Sequence, residues 1–150
     1  MKKFNFTLQS LKRYNDQVLS GEKSVLGRLR AELAEQQALL DEKTAEYEQS
    51  IIKLNALVSE GTTAMRLSLH KKYVSSLQQD IYRIKAQMAQ TREEIEIQLE
   101  KVVEATKEVS KLEKLEEKQL EEYRYAAQKE EELRIEEFVS NGVSNSGENA

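Results

Sequence analysis

Between Leu67 and Leu112 the chain keeps a 3,4 spacing without a break, and 11 of the 14 positions on that stripe are apolar. They are Leu67, Val74, Leu77, Ile81, Ile84, Met88, Ile95, Val102, Ala105, Val109 and Leu112. Such a pattern is an α-helix that must lie against another helix. A stripe one heptad seam wide cannot enclose a pocket, so it points to a rod that binds and transmits rather than a cleft that catalyses. The partner helix is expected within the same chain.

Composition supports a long-helix protein. Of 150 residues 33% are charged and none is proline, which departs from an ordinary compact globule. The formal net charge of −4 is unevenly spread, with a balanced first arm and an acidic stretch from Lys111 to Val139. That asymmetry disfavours nucleic acid as a ligand. Lys2, Lys3, Lys12 and Arg13 make the first turns basic, but without interleaved aromatics they read as a solvated helix face. The absence of cysteine removes disulfides and thiolate zinc sites and fits a reducing compartment, so the cytoplasm is expected. Phe4, Phe6, Leu8 and Leu11 are separated by polar residues, so no secretion signal or membrane span is read.

The first helix is expected over about 7–59, a turn at about 60–62 and the second helix over about 63–139. Residues 1–139 then form one antiparallel coiled-coil hairpin, and 140–150, rich in Ser, Asn and Gly, a disordered tail. Gly61 suits a left-handed position after a helix, and Thr62 or Thr63 an N-cap. So short a turn forces the second helix back along the first. The first seam reads Phe4, Leu8, Leu11, Val18, Val25 and Leu29, then Leu33, Leu40, Tyr47, Ile51, Leu54 and Val58. Val25 to Leu33 is a step of eight where seven is regular, which predicts a slip near Gly27, absorbed by a π-bulge or local unwinding. At that joint the hairpin would be compliant. The second helix, roughly 115 Å at 1.5 Å per residue, overhangs the first, roughly 80 Å. Its overhang still carries Leu120, Tyr123, Leu133, Ile135 and Phe138, to be covered by a partner or left as a fraying or self-associating end.

Residues that could carry chemistry are few. His70, the sole histidine, falls on the seam, where it tunes register rather than binds metal or moves protons. Glu93, Glu94, Glu96 and Glu100 read as a solvated face. No phosphate-cradling glycine loop is present, so no cofactor, small-molecule substrate or enzyme activity is expected. Tyr47 sits on the seam, whereas Tyr73 and Tyr82 sit beside it with ring surface to offer a partner.

The opening Lys3-Phe4-Asn5-Phe6-Thr7-Leu8-Gln9-Ser10-Leu11, an F-x-F-x-L-x-x-L pattern leading into a heptad helix, resembles the flagellar export family called FliJ. The run from Lys111 to Tyr123 is similar to that family's second helix. The resemblance implies a component of the flagellar type III export apparatus, an antiparallel coiled coil like the stalk subunit of rotary ATPases and not itself an ATPase. Implied partners are the hexameric export ATPase, the export gate's cytoplasmic platform and export chaperones, at the cytoplasmic side of the inner membrane. By position it assigns Phe4, Phe6, Leu8, Leu11, Leu120 and Tyr123 to the ATPase ring, and Tyr47, Tyr73 and Leu77 to the export gate. Asp80 departs from the apolar surface expected beside the latter. The other readings are a generic coiled-coil scaffold that self-associates, or the equivalent rod of an injectisome.

Overall fold

The computed structural model describes residues 2–148, with side chains to residue 147. Over these residues the chain is all-helical: α1 is Gln9–Glu60, 52 residues, and α2 is Ala64–Glu148, 85 residues. Gly61 takes φ 85°, in the left-handed region that a Cβ disfavours. Its N–H donates to the Leu57 carbonyl at 3.0 Å and closes the last turn of α1. Thr63 opens α2 as its N-cap, its Oγ1 accepting from the Arg66 N–H at 3.3 Å and its carbonyl from the Leu67 N–H at 3.1 Å.

Two compact units divide the chain, a central one of Ser20–Val103 and an end unit that combines Met1–Leu19 with Glu104–Ala150. In the central unit α1 and α2 lie antiparallel in close contact. Gln78 Nε2 donates to the Tyr47 hydroxyl at 3.0 Å, and Gln98 Nε2 donates to the Glu22 carbonyl at 2.9 Å and to the Glu22 carboxylate. Every one of the 14 stripe positions on α2 is buried or half-buried, the last three of them in the end unit. The seam is thin. Among the described residues no side chain is less than 2% exposed, and the deepest are Leu77 and Met88 at 2%.

The seam on α1 differs from the expected one below Leu29. The inward positions are Lys12, Asn15, Leu19, Glu22, Leu26 and Leu29, continuing through Leu33, Gln36, Leu40, Lys43, Tyr47, Ser50, Leu54 and Leu57. That is one unbroken heptad, so the slip near Gly27 does not exist. Helix α1 is α-helical through residue 27, and Gly27 is exposed with open space where a Cβ would stand. Val18 and Val25, given to the seam by the sequence reading, flank it, while Leu19 and Leu26 fill it. Leu11 and Val58 are likewise exposed rather than seam residues. The physical reason is regularity: a seven-residue repeat is met by Leu19, Leu26, Leu33 and Leu40 without helix distortion, at the cost of placing Lys12, Asn15 and Glu22 inward.

Helix α2 also continues past Val139, where a structureless tail was expected, to Glu148; Asn149 and Ala150 lie outside the described residues. Residues 128–147 are all exposed. Extension of a helix already nucleated by packing needs no new nucleus, so each added residue need only meet its own propagation cost. Local pairs contribute a little: Arg134 with Glu130 at 3.6 Å and Glu131 at 3.8 Å, and Lys129 with Glu132 at 3.3 Å.

Replacing Gly27 by Ala should therefore stabilise the fold by about 0.5–1 kcal/mol, because it removes unfolded-state freedom in an unobstructed helix interior. Gly61→Ala should destabilise it by about 1–2 kcal/mol through the left-handed backbone. Urea midpoints followed by circular dichroism check both. A slip at residue 27 would instead make Gly27→Ala costly.

Candidate functional site

In the end unit the first residues of the chain lie against α2 at Tyr123. Residues 2–6 are not helical, yet they lie on α2. Phe6 is 4% exposed, the Phe4 ring lies 5.5 Å from the Tyr123 ring at a tilt of 56°, and the Tyr123 hydroxyl donates to the Lys2 carbonyl at 2.7 Å. A tilted ring pair at this separation is an attractive aromatic contact. Helix α1 then begins where the Phe6 carbonyl accepts from the Gln9 N–H at 3.2 Å. Lys12 bonds Glu116, and this hydrogen bond, with the nearby charges of Glu116, Asp16 and Glu113, raises the Lys12 ammonium above its ordinary 10.5.

The six residues assigned to an ATPase contact thus fall in one unit but play different parts. Phe6 is core, so its side chain offers no surface in this state. Phe4, Leu120 and Tyr123 are half-buried, two of them against each other. Leu8 and Leu11 remain open at 37% and 45% exposure, and Tyr14 and Val18, which sequence reasoning did not name for this contact, carry the same apolar strip onward along α1. The strip is what is left outside once the seam shifts to Lys12, Asn15 and Leu19.

The residues assigned to an export-gate contact lie in the central unit. Leu77 is buried and supports helix pairing, so it presents no surface; Tyr47 is half-buried and held by Gln78. Tyr73 is half exposed, and Met65 and Leu69, two and one helical turns before it, are more so. The spacing Met65, Leu69, Tyr73 is a signal that was present in the sequence and not read. Asp80 pairs with Arg83 at 3.8 Å, so the departure from an apolar surface is a solvated ion pair. Tyr82 stands out from α2 beside a shallow depression lined by Ser75, Gln78, Gln79, Arg83 and Ala86, all on one helix.

His70 is half-buried in a small groove with Glu46, Gln49, Ser50, Lys53 and Tyr73, and the cluster Glu93, Glu94, Glu96 and Glu100 is fully solvated. Among the described residues no group of three or more His, Cys, Asp or Glu side chains could hold a metal ion, and no helix is long and apolar enough to cross a membrane. What the surfaces can do is dock: two apolar strips stand on helices that carry their own hydrogen bonding.

A family model described as "Flagellar FliJ protein" matches residues 4–148. Among solved structures, a protein from Chlamydia trachomatis described as a YscO homologue has a similar fold, with a TM-score of 0.65 and 22% identity over 90% of each chain. A search of curated proteins finds no match.

The Lys12 to Glu116 bond gives a pH test. A lysine raised in the folded state contributes stability that is complete below its unfolded value and is lost as pH climbs through the folded one. The difference in urea midpoint between the parent and Lys12→Met should therefore be fully present at neutral pH and shrink over the alkaline range above the ordinary lysine value. A difference that is flat across that range would mean that Lys12 acts only through its methylene packing.

Proposed function

The chain belongs to the flagellar FliJ protein family, and from that premise we propose that it is the coiled-coil link between the export ATPase ring and the export gate with its chaperones. The observation that carries this reading is the end unit, in which the first residues of the chain lie on α2 at Tyr123 with Leu8, Leu11, Tyr14 and Val18 open. Such an apolar strip beside an aromatic contact is a surface that a ring subunit can grip. The ATPase contact then centres on Leu8, Leu11, Leu120 and Tyr123, with Phe4 and Phe6 lying beside it and Phe4 resting on Tyr123. The gate contact uses Tyr73 with Met65 and Leu69, supported by Tyr47 and Leu77. Residues 128–147, exposed on α2, would serve as an overhang available to the same partner.

A protein of this kind works without chemistry of its own. It carries the state of one machine to another by binding both, and its influence equals its differential affinity for their states. The setting is the cytoplasmic side of the inner membrane, reached through the apparatus rather than by an anchor. A second reading is favoured by the fold shared with the YscO homologue: the equivalent rod of an injectisome secretion system.

Co-sedimentation with the hexameric export ATPase of the same organism tests the first reading. The intact chain should travel with the ring, and the Leu120→Ala, Tyr123→Ala double variant should bind at least about tenfold more weakly, as expected when two interface anchors are lost. A free chain that sediments as a stable dimer and ignores the ATPase would favour a self-associating scaffold.

A further inference from the structure

We propose that residues 2–6 form a displaceable strap, which covers the α2 surface at Tyr123 and must be lifted before a partner can use that surface. The identity of that partner rests on the reading given above. The strap itself rests on the end unit alone.

Residues 2–6 are the non-helical stretch that precedes α1, and they lack the i to i−4 ladder that holds every residue of the two helices. Three contacts hold them down: the buried Phe6 side chain, the Phe4 and Tyr123 ring pair, and the hydrogen bond from the Tyr123 hydroxyl to the Lys2 carbonyl. Against these stands the conformational entropy of ordering several residues outside any helical ladder, a cost of the same order as the contacts together. Lys2, Lys3 and Asn5 between the anchors are exposed and add no burial. A segment so balanced opens locally at far lower free energy than the paired helices open.

Opening changes the surface in a specific way. Leu120 and Tyr123 are half-buried, whereas Tyr125 just beyond is 64% exposed and residues 128–147 are exposed. With the strap lifted, Tyr123 regains the ring face that Phe4 occupies and a free hydroxyl. The closed strap therefore lowers apparent affinity at that surface by the fraction of molecules that are closed.

Hydrogen exchange on the full chain, read by mass spectrometry, tests the strap without any partner. Amides of residues 3–6 should exchange at least about tenfold faster than those of residues 105–112. Phe6→Ala should speed them further, to the rate of an unstructured segment, and leave residues 20–103 unchanged. Tyr123→Phe, which keeps the ring and removes the donor, should act in the same direction by a smaller factor. Strap amides that exchange in step with the helices, or a Phe6→Ala variant that loosens both helices, would overturn the proposal and make Phe6 an ordinary core residue. With purified export ATPase, Phe6→Ala should bind several-fold more tightly than the parent. Weaker binding would overturn the cover and make the strap a contact in its own right. Binding by neither form would count against the ATPase reading, and the exchange rates would still decide the strap.

Discussion

The heptad contact between α1 and α2 is the interaction on which the rest of this protein depends. Each helix spends about two residues in seven on the other, and the remaining five face water. With so narrow an interface even the deepest described residues, Leu77 and Met88, keep 2% exposure, and the surfaces available for work are the helix flanks. The inward polar residues matter in this setting. Gln98, 5% exposed, is satisfied by the Glu22 carbonyl and carboxylate, and Thr91, 4% exposed, by the Gln87 carbonyl at 3.0 Å. Gln36 Oε1 is buried with no hydrogen-bond partner, which costs stability and marks a place where the seam is chosen for pattern rather than strength.

How much of this could be read from the chain alone varies by element. The α2 stripe was legible at all 14 positions because apolar residues occupy it with no competing phase. The turn was legible because Gly61 and Thr63 each have one conformational job there. The first half of α1 was not, because Val18 stands beside Leu19 and Val25 beside Leu26, so apolar character alone fits two phases. The leucine heptad from Leu19 to Leu40 separates them, since it needs no slip. The burial of Phe6 had no periodic signal at all: it lies outside both helices, and its place follows from tertiary contact with α2.

The residues assigned to partner contacts divide between the interior and the surface. Leu77 and Phe6 belong to the interior, where they set the geometry of neighbours rather than touch a partner. The open residues around them, Leu8, Leu11, Tyr14 and Val18 in one unit and Met65, Leu69 and Tyr73 in the other, were obscured because a seam and a docking strip share the same composition. On a helix of this kind the two differ only in angle.

The two-in-seven seam also governs how such a protein changes over generations. A substitution at an outward position leaves packing untouched, and an inward one is tolerated when it preserves the apolar class and rough volume. Most of the chain is therefore free to wander under weak selection, and the pattern outlasts the residues that compose it. Descent in proteins of this build is recorded in the rhythm of the sequence more durably than in its letters.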